Sequence, residues 1–377
     1  MKRVLFVQNT SAIGGASFCM LNIIKELDLS RFDVTVAVPE SGPLVSELKK
    51  LGVQSIIINR LRGIPYNRSL LNFKFILSYV LVIWSVLTFW RVIKKKQYEV
   101  VYLNSMVLYP LLIPSKLCGA KTIIHVREHW PLNEHICQLG IARFFVDKFS
   151  DKVFAINRYS ASIFPGSHNK CSVVYDWIDM DSRYESRPFA DIFGPNADQY
   201  KVYLYTGGFD QFKGPKEVVE AFEKSISDPN ARLLIMGELP KKPSTPYLAD
   251  TVDLIKRDSR IVCIPRTYKI SHIIQQAYCV LSYFTIPHAN LGMAENIIMN
   301  TITIAADNDE AREYSDDGRL ALLFKSNSID SMISILSDLD SNYMSLKQEL
   351  LFNSYKIKLM FDKQKNFKVI NSVITEI

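Results

Sequence analysis

Short apolar runs alternate with helical patterns along most of the chain, and this alternation stops once and then restarts. Buried apolar runs between helices are typical of a parallel sheet with helices on both faces. Residues 179–199 break the rhythm, because they are polar and contain Pro188, Gly194 and Pro195. The sequence therefore predicts an α/β fold with two Rossmann-like, doubly wound domains that face each other across a cleft.

The length of 377 residues suits two domains of ordinary size. We expect an N-terminal domain over residues 1–180, a linker over 181–200 and a second domain over 201–355. Residues 356–377 are predicted to form a helix that packs back on the first domain. With 48% apolar and 22% charged residues, the composition excludes a largely disordered chain.

The cysteines and the N-terminus indicate an intracellular protein. None of the six cysteines is spaced as CxxC, so the sequence favours neither a zinc site nor a disulfide framework. The first apolar run, residues 4–7, is shorter than a secretory signal requires. We expect a cytoplasmic location. A peripheral position on the inner face of the cell membrane is compatible with it.

One apolar segment lies beside a basic cluster. Residues 75–90 carry no charge, and Arg91, Lys94, Lys95 and Lys96 follow them. Residues 1–100 contain 14 Lys and Arg against 6 Asp and Glu, although the net charge of the whole chain is +7. Three interpretations stay open: a buried crossover helix, a helix in contact with an anionic membrane surface, and a transmembrane span.

The loop after the first strand is a candidate phosphate site. Gly14, Gly15 and Ala16 connect an apolar run to a helical pattern. Glycine lets the backbone approach a ligand closely, and a helix N-terminus offers free N–H groups to an anion. A plain turn explains this glycine pair equally well.

The second domain opens with a similar loop. Gly207 and Gly208 follow an apolar run, and Lys213 precedes the next helix. A lysine here could offset the charge of a departing diphosphate. The alternative is a lysine on a surface turn.

A third loop connects a strand near residue 282 to an apolar helix. Glu295 is predicted in the first turn of that helix, where a carboxylate either interacts with the helix dipole or accepts ribose hydroxyls. Asn300 is predicted to end the helix in the left-handed conformation. The candidate ligand-binding residues of this loop are His288, Asn290, Leu291, Gly292, Met293 and Glu295.

A fourth group of candidates lies where the strand over residues 122–126 ends. Arg127 and His129 could stabilise charge or orient an acceptor, and Glu128 lies between them. His125 is on the apolar strand itself, where a core role competes with a catalytic one.

These motifs together resemble the retaining glycosyltransferases of family 4, which have the GT-B fold. Gly14–Ala16 resemble the family's glycine loop, and Lys213 matches its diphosphate-binding lysine, whereas Gly208 replaces an arginine. Glu295 matches the ribose-binding glutamate of the Glu-x7-Glu motif. Pro287 replaces the first glutamate of that motif, and His288 is the nearest polar substitute. A strand-end histidine of the family has three equally good matches here, namely His125, Arg127 and His129.

The resemblance implies a metal-independent, retaining hexosyltransferase that requires no cofactor. The donor would be a UDP- or GDP-linked sugar, bound mainly by the second domain. The acceptor would be a glycan or a lipid-linked glycan of surface polysaccharide synthesis, bound by the first domain. We expect no nucleic-acid partner. Two alternatives remain: a nucleotide-sugar epimerase on the same fold, and a degenerate, non-catalytic nucleotide-binding or interaction protein.

Overall fold

The computed structural model describes residues 1–64, 73–130, 136–167, 169–178, 187–267, 269–286 and 289–377. Unit 1 comprises Met1–Trp177 and Lys363–Ile377, and unit 2 comprises Ile178–Asp362. Each unit contains a parallel sheet with helices around it, which confirms the predicted fold class. The first predicted linker residues, 181–186, lie outside the described residues.

The sheet of unit 1 has buried apolar strands at its centre and partly exposed strands at its two edges. Its described strands are β1 (Lys2–Val7), β2 (Phe32–Val38), β3 (Gln54–Ile57), β4 (Val100–Leu103), β5 (Lys121–Val126), β6 (Lys152–Ala155) and β7 (Cys171–Val173). They pair in parallel in the order β3-β2-β1-β4-β5-β6-β7. The chain therefore builds the sheet outward from β1 in one direction and then from β4 in the other.

Helices cover both faces of this sheet. They are α1 (Gly15–Glu26), α2 (Pro43–Lys50), α3 (Phe73–Lys96), α4 (Leu112–Leu117), α5 (Ile136–Phe149), α6 (Arg158–Ser162) and α15 (Lys363–Glu376), with 3-10 turns at Met106–Leu111 and Pro165–Ser167. Buried residues of α3, α4 and α5 share one hydrophobic cluster. Buried residues of α1, α2 and α15 share another, to which α15 contributes Ile370 and Ile374.

Unit 2 repeats the arrangement with fewer strands. Its described strands are β8 (Lys201–Tyr205), β9 (Ala231–Met236), β10 (Ile261–Ile264), β11 (Cys279–Ser282), β12 (Ile302–Ala306) and β13 (Leu322–Phe324), paired in parallel in the order β10-β9-β8-β11-β12-β13. Its helices are α7 (Ala190–Phe193), α8 (Pro215–Ser225), α9 (Pro246–Arg257), α10 (Ser271–Gln276), α11 (Leu291–Ile298), α12 (Asp309–Tyr314), α13 (Ile329–Asn353) and α14 (Tyr355–Met360), with 3-10 turns at Ala197–Gln199 and Gln211–Lys213.

The strand order creates one switch point in each sheet, between β1 and β4 and between β8 and β11. Ligands of doubly wound sheets bind outside the carboxyl ends of the strands at such points. The two predicted glycine loops directly follow β1 and β8. The topology thus places both loops where this class of fold binds ligands.

Candidate active site

The glycine loop of unit 1 leaves open space at the start of α1. The Ser17 hydroxyl donates to the Ala12 carbonyl at 2.8 Å and accepts the Gly14 N–H at 3.2 Å, which fixes the loop. A Cβ atom added to Gly14 or Gly15 would meet no other atom within 4 Å. Packing within unit 1 therefore does not require glycine at these two positions.

Asn104, directly after β4, connects this loop to the end of β5. Its Nδ2 donates to the Ala16 carbonyl at 3.0 Å and to Gln8 Oε1 at 2.8 Å. Its Oδ1 accepts from Arg127 Nε at 2.9 Å. The structure thus brings the predicted residues Ala16 and Arg127 together through an asparagine that the sequence did not single out.

Arg127 is buried and forms an ion pair with Asp176 at 2.5 Å. Burial lowers the pKa of Arg127, but the charge and hydrogen bond of Asp176, together with smaller contributions from Cys19 and Tyr102, outweigh this effect, so the net direction is upward. Asp176 was also missed by sequence reasoning, because it follows β7 without any recognisable motif. The pair forms a fixed positive–negative couple at the carboxyl edge of the sheet.

His125 lies in the core beneath this pair. Its Nδ1 is 2.7 Å from the Tyr102 hydroxyl and 3.3 Å from Arg127 Nη2. Because a guanidinium only donates, Nδ1 accepts and Nε2 carries the proton. Burial, followed by the charge of Arg127, holds the pKa of His125 well below its usual value. His125 is therefore neutral in the folded protein, and its Nδ1 accepts a hydrogen bond that helps to hold the Arg127 side chain in place.

Glu128 and His129 each make contacts that organise the neighbouring chain. The Glu128 carboxylate accepts from the Ser105 hydroxyl and from the Met106 N–H at 2.9 Å, at the start of a 3-10 turn. Burial raises the pKa of Glu128. The His129 ring stacks on Tyr159 with centroids 4.1 Å apart. All four predicted residues thus lie at the end of β5, and their catalytic roles stay predictions.

Tyrosines pack against the glycine loop of unit 2. The Tyr205 hydroxyl donates to the Lys213 carbonyl at 2.9 Å, and the Thr285 N–H donates to the Phe212 carbonyl at 2.9 Å. A Cβ atom on Gly207 would overlap the Tyr205 side chain. Gly214 has a φ of 65°, and a Cβ atom there would overlap the Tyr283 ring. Close packing therefore requires glycine at these positions.

Lys213 is held by residues of its own loop. Its ammonium lies 3.4 Å from Asp210 and 5.4 Å from the centre of the Phe212 ring. Gly208, at the position of the family's arginine, has a φ of 68°. The loop therefore presents one partly exposed cation beside a backbone that turns sharply.

Helix α11 begins earlier than the sequence predicts. The Asn290 side chain caps it by accepting from the Met293 N–H at 3.2 Å, and its Nδ2 donates to Ser282 Oγ at 2.6 Å. The prediction that Glu295 lies in the first turn is wrong, because this cap starts the helix at Leu291 and Glu295 falls in the second turn. The left-handed conformation of Asn300 is confirmed by its φ of 56°.

The predicted ligand-binding residues of this loop have different structural roles at the start of α11. The side chain of Asn290 serves as the cap, and that of Met293 is buried in the core. Leu291 and Gly292 supply the backbone of the first turn. His288 and Pro287 lie outside the described residues.

A cavity of about 160 Å³ lies where β8, β9 and β10 end. Glu295, only 6% exposed, lies in its wall beside Gly292, and Arg266 and Thr206 are also in contact with the cavity. The sequence had not singled out most of the lining, because these residues come from separate strand ends and from two helices, α10 and α11. The full lining is Thr206, Met236, Arg266, Thr267, Ile270, Ile274, Gly292, Glu295 and Asn296.

Solved structures similar to this chain share its fold. HepE from Anabaena in complex with UDP-glucose is 15% identical, with 100% of both chains covered and a TM-score of 0.78. The lipopolysaccharide outer core galactosyltransferase WaaB is 15% identical, with 100% of this chain and 99% of its own covered and a TM-score of 0.67. A putative UDP-N-acetylglucosamine 2-epimerase from Listeria monocytogenes is 13% identical, with 93% of this chain and 91% of its own covered and a TM-score of 0.59.

No family model and no curated protein sequence matches the chain. At these identities, the structural likeness establishes the fold, and the predicted GT-B fold is confirmed.

Proposed function

We propose that this protein is a retaining, metal-independent glycosyltransferase that moves a sugar from a UDP-linked donor to a glycan or lipid-linked acceptor. The observation that carries the proposal is the cavity of unit 2, which places the buried Glu295 at the carboxyl ends of β8, β9 and β10. The similar structure of HepE contains UDP-glucose, which supports the choice of donor. WaaB is a lipopolysaccharide outer core galactosyltransferase, which supports the choice of acceptor class.

The cavity offers complementary surfaces for a nucleoside. The carboxylate of Glu295 has only acceptor capacity when it is ionised, which suits the two hydroxyls of a ribose. Met236, Ile270 and Ile274 provide apolar surface for a planar base. Thr206 and Thr267 add hydroxyls that orient the ligand. We therefore assign this cavity to the uridine of the donor.

The diphosphate would lie at the first turn of α11. The amides of Leu291 and Gly292 are at the N-terminus of the helix, where backbone donors have no partner within the helix. Arg266 is exposed at the edge of the cavity, and Lys213 is on the neighbouring loop. In the described part of the chain, no group of three or more His, Cys, Asp or Glu residues is placed to hold a metal ion. We assign the neutralisation of the diphosphate to the two cations.

In the proposed reaction, an acceptor hydroxyl oxygen forms the new bond to the anomeric carbon while the bond from that carbon to the diphosphate oxygen breaks. The acceptor proton passes to the departing diphosphate. Cations and helix amides stabilise the charge that develops on the leaving group, a contribution that fixed dipoles make without reorganisation. Retention of configuration follows the resemblance to glycosyltransferase family 4.

Calorimetric titration of the protein with UDP tests the cavity assignment. Glu295→Gln keeps the shape of the side chain and removes its charge, so UDP affinity should fall about tenfold to a hundredfold, as expected for charged hydrogen bonds of about 1.5–3 kcal/mol. Glu376→Gln, at an exposed position of α15, is the matched control and should bind UDP as the wild type does. Equal UDP affinity of Glu295→Gln and wild type would remove Glu295 from the site.

The fold shared with the Listeria protein keeps an epimerase as the second candidate. The two activities differ in what they require, because transfer releases UDP only when an acceptor is present. Release of UDP that depends on added glycan or lipid-linked acceptor supports the transferase. Interconversion of two UDP-sugars without an acceptor supports the epimerase, and absence of any nucleotide binding would support the non-catalytic alternative.

A further inference from the structure

Helix α3 is a crossover helix of unit 1. It connects β3 to β4, which belong to the same sheet. Its own residues Val82, Phe89 and Ile93 are buried in the core of unit 1, and the buried Ser85 hydroxyl accepts the Arg62 N–H at 3.1 Å. Residues Leu77–Lys96 are long and apolar enough to cross a membrane by length and composition. Because its inner face is part of the core, however, the helix lies on the sheet rather than across a bilayer.

The outer face of α3 is apolar although no described part of unit 1 covers it. A crossover helix that faces water normally carries polar residues there. Large contiguous apolar patches on a soluble protein mark sites of interaction. The exposed residues, spaced at three and four, are Leu77 (42%), Val80 (51%), Ile83 (58%), Trp84 (52%) and Leu87 (39%).

The same face becomes basic towards the end of the helix. Arg91, Lys94 and Lys95 continue the spacing and are exposed, and the Lys94 ammonium lies 5.1 Å from the centre of the Trp90 ring. Helix α3 contains no acidic residue. The face therefore presents an apolar surface that ends in a cluster of exposed basic residues.

Helix α5 shows a similar gradient beside α3, although its last turn also carries the exposed Asp147, whose carboxylate accepts from the Ser167 hydroxyl. Its exposed residues Ile141 and Phe144 precede the exposed Lys148, whose ammonium lies 5.5 Å from the centre of the Phe144 ring. Both helices pack on the same face of the sheet, and each leads into the start of a parallel strand, β4 and β6. Their basic ends therefore lie along the same edge of unit 1.

An apolar groove of about 260 Å³ runs between the two helices. Val86 and Leu87 of α3 and Ile141 and Phe145 of α5 form its walls, and Pro110 and Ile113 line its floor. The hydroxyls of Tyr79 and Tyr109, which also line the groove, are 3.3 Å apart and hydrogen-bond to each other. The groove thus presents hydrocarbon and aromatic surface, which suits an alkyl chain and not a polar ligand.

We propose that the α3–α5 face docks unit 1 on an anionic phospholipid bilayer, with the basic helix ends at the headgroups and one acyl chain of a bilayer lipid in the groove. Charge complementarity favours an anionic bilayer over a second copy of this chain. In a dimer through this face, the basic ends of the two α3 helices would face each other, and α3 has no acidic residue to balance them. The inference does not depend on the nucleotide-sugar site, since docking needs no nucleotide.

Flotation with vesicles of defined composition tests the proposal. The wild type should float with vesicles of phosphatidylglycerol and phosphatidylethanolamine and not with phosphatidylcholine vesicles. Binding should weaken as salt rises, because screening shortens the reach of the charges. Failure to float with the anionic vesicles at low salt would overturn the proposal, whatever the result of UDP titration.

Two sets of substitutions separate the electrostatic and apolar contributions. Lys94→Gln, Lys95→Gln and Lys96→Gln together should lower the partition coefficient about a hundredfold or more, since each basic residue near an anionic surface contributes about a factor of five. The triple control Lys49→Gln, Lys241→Gln and Lys242→Gln removes the same charge from other exposed positions and should bind as the wild type does. Equal losses in both triple variants would mean that net charge alone drives binding, which contradicts a defined face.

Ile83→Glu with Leu87→Glu should abolish flotation without a change in melting temperature, because both side chains are exposed. The matched pair Leu351→Glu and Leu359→Glu alters exposed apolar residues of unit 2 and should float normally. A soluble dimer of the wild type that the α3 pair dissociates would assign the face to a second copy and overturn the proposal.

Val86→Phe narrows the groove. If an acyl chain enters it, the partition coefficient should fall about tenfold, equivalent to keeping two methylene groups out. Unchanged or stronger binding by this variant would contradict the chain-binding role of the groove.

Discussion

The two glycine loops occupy the same place in their sheets, yet glycine serves opposite purposes in them. Around Gly14 and Gly15 no atom lies within 4 Å of an added Cβ, whereas at Gly207 and Gly214 a tyrosine fills that space. The glycines of the first loop have no packing partner at the Cβ position, whereas those of the second loop pack against Tyr205 and Tyr283. Similar sequence patterns after equivalent strands thus produce a loop open to a ligand and a loop held by its own domain.

The interactions around the two switch points also differ. In unit 1, a buried Arg127–Asp176 pair and Asn104 connect the loop to the sheet. In unit 2, Tyr205 and Thr285 hold the loop through backbone carbonyls, and the polar cavity beside it contains Glu295. Unit 1 therefore depends on buried charge for its local order, and unit 2 depends on close packing of glycine against aromatic rings.

The largest effect is expected from breaking the buried pair. Arg127→Met leaves the Asp176 carboxylate, only 16% exposed, without its cation. Removing one partner of a buried ion pair destabilises a protein by about 3–5 kcal/mol. Urea denaturation should show a loss of unfolding free energy of that size, and Asp176→Asn in the same chain should recover part of it.

Arg319→Met is the matched control, because it removes the arginine of the exposed pair Arg319–Asp316. Exposed pairs contribute about 0–1 kcal/mol. If both arginine variants lose the same amount, the charge network of unit 1 is not a source of stability and the contrast between the units fails.

Next in size is the effect of filling a packed glycine. Gly214→Ala combines a left-handed φ of 65° with overlap against the Tyr283 ring. A left-handed residue with a Cβ costs about 1–2 kcal/mol, and overpacking adds about 1–3 kcal/mol. The unfolding free energy should therefore fall by about 2–5 kcal/mol, as measured by urea denaturation.

Gly318→Ala isolates the conformational part of this cost. Gly318 has a φ of 82°, but its added Cβ would meet Leu323 only at an ordinary contact distance of 3.4 Å. It should lose about 1–2 kcal/mol, from the backbone alone. Equal losses at both glycines would show that Tyr283 moves aside and that the second loop is less tightly packed than the structure indicates.

A smaller effect, confined to ligand binding, is expected at Lys213. Lys213→Ala should raise the Kd for UDP about tenfold to a hundredfold, because a charge-assisted contact with the diphosphate contributes about 1.5–3 kcal/mol. The melting temperature should stay nearly constant, since the ion pair is long, at 3.4 Å, and its partner Asp210 is 55% exposed. Lys216→Ala removes a nearby lysine that pairs with Asp250 and should leave the Kd unchanged. Equal Kd values for Lys213→Ala and wild type would place Lys213 outside the donor site.

Sequence periodicity was sufficient for the strands, because most of them are buried apolar runs between polar loops. The edge strands β3 and β7 are partly exposed exceptions. It was insufficient for α11, where the expected start depended on Glu295 and the real start depends on the Asn290 cap. Asn caps and Asn loop residues look the same in a sequence. The difference lies in the hydrogen bond to the Met293 amide, which only the folded chain forms.

The cavity residues show a second limit of sequence reasoning. Thr206 and Met236 come together because β8 and β9 are neighbours in the sheet, although 30 residues separate them in the chain. Asn104 and Arg127 meet for the same reason across β4 and β5. Motifs locate residues that are close in sequence, whereas strand order decides which loop ends meet.

The smallest change in stability is expected at the open loop. Gly15→Ala adds a methyl group that meets no atom within 4 Å at the first position of α1, where alanine has the better helix propensity. The unfolding free energy should therefore change by no more than about 1 kcal/mol, in contrast to the loss at Gly214. If the loop approaches the donor phosphates, as the resemblance implies, the methyl group should still lower UDP-sugar affinity by about tenfold, roughly 1.4 kcal/mol. Gly140→Ala, at an equally open position of α5, should leave that affinity unchanged. Wild-type affinity in the Gly15 variant would mean that the open space is not occupied by the donor, and the glycine pair of unit 1 would then be an ordinary turn.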